Sequence, residues 1–259
     1  MPFLEIDGSR LHYQWDGPAD RTVIVFSNSL GTNLSMWDAQ IPKLSRPFRL
    51  LRFDMHGHGQ SSLPAGPCTI DSLGEDVVSL LDALSLDRVH FCGLSMGGAI
   101  GQWLGIHHPE RLHKLILANT AARFGQPADW TARIEQVRKG GIQSLLPGIL
   151  DRWVTADFQA SEPETFARIR SMLLSTPTDG YCACCEALRG INQLTLLQTI
   201  TVPTFVIAGA NDMATPQAEG ESIAGAIRGA RFLCLPTAHL SNIEASAAFT
   251  AAVLEFLLP

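Results

Sequence analysis

The sequence predicts an α/β fold in which helices flank a mostly parallel, eight-stranded sheet. Eight short apolar runs are spread over 259 residues, with helical patterns between most of them. Such alternation is typical of parallel strands joined by right-handed crossovers. The last six runs are almost continuously apolar, which is typical of strands buried on both faces.

The individual elements follow from periodicity and turn residues. The runs at 4–6 and 11–15 flank Asp7-Gly8, a dipeptide that favours a two-residue hairpin. Residues 70–84 predict a helix, since apolar side chains recur at helical spacing. The six further strands are predicted at 22–26, 48–53, 89–92, 115–118, 204–208 and 231–235.

Residues 122–198 interrupt the alternation of strands and helices. They contain no convincing strand, and their helical patterns fall at 130–139, 142–153, 165–175 and 181–189. We therefore expect a core formed by residues 1–121 and 199–259, with 122–198 inserted into it as a helical cap.

Composition restricts the possible partners. The net charge is −6, so the chain lacks the basic surface that nucleic-acid binding requires. No apolar run is long enough to cross a membrane, and the N-terminus lacks the basic and apolar regions of a signal peptide. The six cysteines do not follow metal-binding spacing. We expect a cytoplasmic protein without a metal and without nucleic-acid or membrane partners.

Ser95 is the predicted nucleophile. It lies in Gly93-Leu94-Ser95-Met96-Gly97, which matches G-x-S-x-G. The motif directly follows a predicted strand and precedes a helical pattern, and this context is what a nucleophile turn requires. The alternative is a plain glycine-rich turn.

A serine hydroxyl needs a base, and the base needs an orienting acid. In folds with this nucleophile turn, the chain order is serine, acid, histidine. Asp212 follows the predicted strand 204–208, and His239 follows the strand 231–235. Both therefore fall at the carboxyl edge of the sheet and are our predicted acid and base, although a turn aspartate and a structural histidine are the alternatives.

An oxyanion hole requires two backbone N–H groups. One is expected from Met96, the residue after the nucleophile, and the second from Leu30 in the loop after the third strand. The segment Asp54 to Ser61 contains His56 and His58. We interpret it as a structural turn near the site, because no third metal ligand accompanies the two histidines.

Six stretches of the chain match the pattern of a known family: 28–31, 93–98, 117–122, 184–189, 210–216 and 238–244. Through them, almost the whole chain resembles the 3-oxoadipate enol-lactonases of the α/β-hydrolase fold, which hydrolyse a small enol-lactone in bacterial catabolism of aromatic compounds. One departure is His56, where such sequences often carry arginine.

The resemblance implies the hydrolysis of 3-oxoadipate enol-lactone without a cofactor. The acetate arm of this substrate is an anion, and arginine suits it. Arg133 is the first candidate; Trp130 and Trp153 are expected to wall the pocket. Each arginine could instead lie on a solvated helix face, and the other candidates are Arg123, Arg152 and Arg168.

Other functions stay open at this point. The same triad would serve an esterase, a perhydrolase or a carbon–carbon bond hydrolase of small substrates. Haloalkane dehalogenation is disfavoured because that reaction uses aspartate at the position of Ser95. A receptor that retains the triad and uses the pocket only for binding is the alternative outside enzymes.

Overall fold

Eight strands form one sheet in the computed structural model of the chain, which describes residues 2–6, 8–63 and 66–258. The strands lie in the order β1-β2-β4-β3-β5-β6-β7-β8; β1 and β2 pair antiparallel, β2 also pairs antiparallel with β4, and the remaining pairs are parallel. The predicted fold class is confirmed. The strands are β1 (Phe3–Ile6), β2 (Ser9–Asp16), β3 (Val23–Ser27), β4 (Arg49–Phe53), β5 (Val89–Leu94), β6 (Leu112–Ala118), β7 (Thr204–Gly209) and β8 (Arg231–Leu235).

The hairpin between β1 and β2 has the predicted two-residue connection. Ile6 is the register partner of Ser9. Gly8 has a φ of +78°, which glycine adopts without a Cβ penalty. Asp7, the other residue of the predicted turn, lies outside the described residues.

Helices cover the sheet on both faces. In α2, Thr69 caps the first turn by accepting the Ser72 N–H, and apolar residues at helical spacing are buried against the core. The helices outside the central segment are α1 (Ile41–Leu44), α2 (Ile70–Ala83), α3 (Met96–His107), α9 (Gln217–Ala226), α10 (Ser241–Glu244) and α11 (Ser246–Leu257).

A helical insertion connects β6 to β7, as predicted. It contains α4 (Pro127–Gly140), α5 (Leu146–Trp153), α6 (Ala156–Ser161), α7 (Pro163–Leu174) and α8 (Thr178–Gly190). The predicted helix 142–153 is divided into a 3₁₀ turn, Ile142–Leu145, and α5. The six-residue α6 was missed because so short a segment shows less than two turns of apolar periodicity.

The prediction that the last six strands are buried on both faces is wrong for β8. Arg231 and Phe232 are exposed, and only Leu235 is fully buried. β8 pairs only with β7 among the described strands, since it is the last strand of the sheet. Along the part of the chain described, no helix combines the length and apolar character needed to cross a membrane.

Candidate active site

Ser95 occupies a sharp turn between β5 and α3. Its φ and ψ are 58° and −116°, a conformation that L-residues rarely adopt and that surrounding contacts must maintain. The Ser95 N–H donates to the Ala118 carbonyl at 2.9 Å. The Ser95 carbonyl accepts the Thr120 hydroxyl at 2.7 Å. Both backbone polar groups of Ser95 are thus bonded to the last residue of β6 or to the loop that follows it.

The glycines of the motif allow the backbone to pack closely around this turn. A Cβ on Gly93 would lie 2.0 Å from the Gly97 carbonyl oxygen. A Cβ on Gly97 would lie 2.2 Å from the Ser27 carbonyl oxygen. No side chain fits at either position, so the G-x-S-x-G spacing follows from steric exclusion.

The predicted acid and base are in direct contact. Asp212 follows β7 and His239 follows β8, and Asp212 Oδ2 lies 2.8 Å from His239 Nδ1. The other carboxylate oxygen, Oδ1, accepts the N–H groups of Ala214 and Thr215 at 2.8 and 2.9 Å. A carboxylate at Nδ1 favours the tautomer that leaves Nε2 available as a base.

The surroundings of Asp212 keep it ionised. Burial disfavours its charge, but the electrostatic attraction to the His239 ring and the hydrogen bonds from His239, Thr215 and Asn119 outweigh that cost. The pKa of Asp212 therefore lies below its ordinary value. An ionised carboxylate at this position is what the predicted role of Asp212 requires, since it would stabilise an imidazolium formed at a catalytic base.

Three polar residues, which were not predicted, form hydrogen bonds around the predicted acid and base. Thr215 donates its hydroxyl to Asp212 Oδ2 at 2.9 Å. The Asn119 amide donates to Asp212 Oδ2 at 3.1 Å and to the Ala238 carbonyl at 3.2 Å, and Ser241 donates to the Asn119 side chain. One feature of the sequence could have indicated these contacts: Asn119 is a polar residue directly after β6, at the same edge of the sheet as Asp212 and His239.

Leu30, in the loop after β3, lines the same cavity as Ser95. The amides on either side of Leu30 are engaged: the Ser29 N–H points at Met36 Sδ at 3.4 Å, and the Gly31 N–H donates to His58 Nε2 at 2.9 Å. Met96 is the first residue of α3, where helix N–H groups are free of intrahelical acceptors.

The turn that contains His56 and His58 is connected to this loop. His58 is fully buried, which lowers its pKa to about 4 and keeps the imidazole neutral. A neutral Nε2 can accept the Gly31 N–H. Asp54 anchors the same turn by accepting the Gln60 N–H at 3.0 Å and the Leu34 N–H at 2.7 Å. The structural interpretation of this turn agrees with these contacts, but its link to Gly31 was not predicted.

The insertion closes a cavity of about 170 Å³ over Ser95 and His239. This volume is below the ~300–1,000 Å³ common for drug-sized ligands, so it suits a small substrate. Ser95 and His239 are 6% and 2% exposed, so both side chains are largely shielded from bulk water. The walls from the insertion and its leading loop include Phe124, Trp130, Arg133, Arg152, Trp153 and Tyr181.

Two arginines reach this cavity. The guanidinium of Arg133 lies 4.8 Å from the ring centroid of Trp130. Burial lowers the pKa of Arg152, and the nearby charge of Arg133 adds to the effect. Of the other two arginines considered, Arg123 is exposed and Arg168 lines a separate cavity beside Met36. The structure thus brings Arg133, Trp130 and Trp153 together in one cavity with Arg152, another of the four candidate arginines.

Comparison with known proteins agrees with this architecture. The alpha/beta hydrolase fold family matches residues 22–246. The chain is 43% identical to 3-oxoadipate enol-lactonase 2 of Acinetobacter baylyi, over 94% of this chain and 91% of that protein. It is 38% identical to 3-oxoadipate enol-lactonase 1 of the same organism, over 92% and 89%.

A solved structure is similar over the full length. The enol-lactonase from Burkholderia xenovorans LB400 superposes with a TM-score of 0.98 at 43% identity, covering all of both chains. The protein belongs to the alpha/beta hydrolase fold family. The resemblance to enol-lactonases found in the sequence motifs is confirmed over nearly the whole chain.

Proposed function

We propose that this protein hydrolyses 3-oxoadipate enol-lactone to 3-oxoadipate. The observation that carries the proposal is one small cavity lined by Ser95, His239, Arg133 and Arg152. It combines a nucleophile and a base with two cations, which matches a small ester that bears a carboxylate. Relatives named as 3-oxoadipate enol-lactonases at 38–43% identity support the same substrate.

In this proposal Ser95 attacks the lactone carbonyl while His239 takes its proton. The imidazolium is stabilised by Asp212, whose carboxylate is held by its hydrogen bonds. The N–H groups of Leu30 and Met96 stabilise the oxyanion of the tetrahedral intermediate. No cofactor takes part.

The leaving group is an enolate oxygen that remains attached to the acyl chain. Because it cannot diffuse away, ring closure competes with hydrolysis of the acyl-enzyme. The His239 imidazolium returns the proton it took from Ser95 to this enolate, which becomes the ketone, so the internal nucleophile is removed and His239 is neutral again. His239 then activates water, which attacks the acyl-enzyme and releases 3-oxoadipate.

Arg133 and Arg152 bind the acetate arm in this proposal. The chain has a net charge of −6, so an anionic substrate needs a local cation. A charge-assisted pair is strengthened where water is excluded. Trp130 holds the Arg133 guanidinium by a cation–π contact, and Trp153 closes the neighbouring wall.

Residues 122–198 act as a cap over a core formed by 1–121 and 199–259. The cap supplies the two arginines, while the core supplies the nucleophile, acid and base. Specificity and bond cleavage therefore reside in different segments of the chain. The six cysteines are free thiols, which suits the reducing conditions of the cytoplasm, where we place the protein.

The test is hydrolysis of 3-oxoadipate enol-lactone by the purified protein, with p-nitrophenyl acetate as the neutral ester. We expect 3-oxoadipate as product and a kcat/KM at least a hundredfold above that for the neutral ester, about 2.7 kcal/mol of discrimination. Turnover of the neutral ester without any lactone hydrolysis would overturn the substrate and favour a general esterase.

A further inference from the structure

Glu244 connects the histidine loop, residues 236–240 between β8 and α10, to the helical insertion. It is the last residue of α10, five positions after His239. Its Oε2 accepts the Ala238 N–H at 2.8 Å. Its Oε1 accepts the Thr155 N–H at 3.2 Å and also the Thr155 hydroxyl. One carboxylate thus receives three hydrogen bonds from two segments, one six residues before it and one 89 residues before it.

Both of these segments belong to the cavity region. Ala238 directly precedes His239, so the bond to Glu244 fixes the backbone on one side of the histidine. Thr155 is the N-cap of α6 and lies two residues after Trp153, which lines the cavity. On the other side of the histidine, the Leu240 N–H donates to the Trp153 carbonyl at 2.8 Å.

Packing alone does not explain why position 244 carries a carboxylate. It is half-buried, and a half-buried carboxylate needs hydrogen-bond donors to offset the loss of water. Those donors come from the residue next to His239 and from the N-terminus of α6. Hydrogen bonds to an ionised acceptor are stronger and shorter than neutral ones.

We propose that Glu244 is a positioning residue that keeps His239 and the Trp153 wall of the cavity in a fixed relation. The inference rests on the proposed function, because it takes His239 as the base. When the α5–α6 junction shifts, Glu244 transmits that shift to the histidine loop. Glu244 does not touch the reacting atoms; it acts through the backbone at Ala238.

Glu244→Gln is the first test, because the amide keeps the side-chain volume and only one oxygen acceptor. We expect kcat to fall about tenfold or more for both the enol-lactone and p-nitrophenyl acetate, the scale of one charged hydrogen bond, while KM changes less. Covalent labelling of Ser95 by a small fluorophosphonate should slow by a similar factor, since it needs His239 but no arginine. Glu255→Gln removes an exposed carboxylate from α11 and should leave all three rates unchanged.

Thr155 supplies the second test. Thr155→Val removes the hydroxyl donor and should lower kcat severalfold, whereas Thr155→Ser retains it and should restore the rate. The double variant of Glu244→Gln with Thr155→Val should lose less than the product of the two single losses, because both substitutions weaken one hydrogen-bond network around the Glu244 carboxylate. Full multiplication of the two losses would overturn the coupling.

Misfolding is separated from mispositioning by Glu244→Asp, which keeps the charge but is too short to reach both segments. It should also slow labelling of Ser95, with a thermal midpoint close to that of the unmodified protein. Wild-type labelling rates in both Glu244 variants would refute the inference alone. Absence of Ser95 labelling in the unmodified protein would instead refute the proposed triad.

Discussion

His239 Nδ1 lies 2.8 Å from Asp212 Oδ2 across 27 residues of sequence. The two residues meet because β7 and β8 are adjacent and parallel, so the residues that follow them emerge at the same edge of the sheet. The nucleophile turn follows β5 at that edge. The topology of the sheet therefore assembles the proposed triad from three separate strand ends.

The first prediction concerns the triad as a unit. Ser95→Ala and His239→Ala should each lower kcat by at least about a thousandfold, and the double variant should lose no more than the worse of them. The reason is that His239 acts only through Ser95. Steady-state kinetics of the three variants provide the check. Independent, multiplying losses would be inconsistent with His239 as the base for Ser95.

The second prediction concerns Arg133 and Arg152, the two arginines that line the cavity. Arg133→Met and Arg152→Met should each lower kcat/KM for the enol-lactone about tenfold to a hundredfold, because each removes a charged hydrogen bond. Both should spare p-nitrophenyl acetate, which carries no anionic arm. Arg123→Met is the matched control at an exposed position. Equal losses on both esters would indicate damage to the insertion and not loss of anion recognition.

The third prediction concerns His58, which accepts the Gly31 N–H. His58→Ala should leave that N–H unpaired and let the Leu30 amide drift from the oxyanion position. We expect kcat to fall about tenfold and the affinity for a boronic acid inhibitor to fall in parallel, since both report on the oxyanion hole. His107→Ala, at an exposed histidine, serves as control. A loss of stability with unchanged boronate affinity would contradict this role.

The fourth prediction concerns stability in acid. Burial lowers the pKa of His58 and of His90 to about 4, assisted at His90 by the charges of His113 and Lys114. An unfolded histidine titrates near pH 6.5. As pH falls from about 6.5 to 4, the unfolded chain binds protons that the native state does not, and stability is lost. His56 has the opposite effect on stability in acid. Burial lowers its pKa, but the charge of Asp76 and hydrogen bonds to the ring raise it by more, so the native state binds a proton at His56 more readily than the unfolded chain does.

His90→Leu isolates one part of this effect, because the His90 Nδ1 is buried without a hydrogen-bond partner among the described residues. The variant should reduce the slope of unfolding free energy against pH by up to about 1.4 kcal/mol per pH unit in that window. Urea unfolding between pH 4.5 and 7.5 measures it. An unchanged slope would show that His90 titrates alike in both states.

The fold class and the turn at Ser95 could be predicted because both depend on patterns within short stretches of sequence. Strand and helix periods are local, and the turn at Ser95 requires glycine at fixed offsets. The contacts of Asn119 with Asp212, of His58 with Gly31 and of Glu244 with Thr155 join residues that are far apart in the sequence, so no local pattern identifies them. Burial in β8 was overestimated for a related reason: edge position depends on strand order, which apolar composition does not encode.

The central claim is that Ser95, beneath the helical insertion, is the nucleophile for the enol-lactone. Titration of the purified protein with a fluorophosphonate, followed by peptide mass spectrometry and a lactone assay on each sample, tests it most directly. We predict one adduct per chain, located on Ser95, with lactonase activity falling linearly to zero as labelling reaches completion and with slower labelling when enol-lactone is present. Full lactonase activity in protein completely labelled at Ser95 would contradict the account.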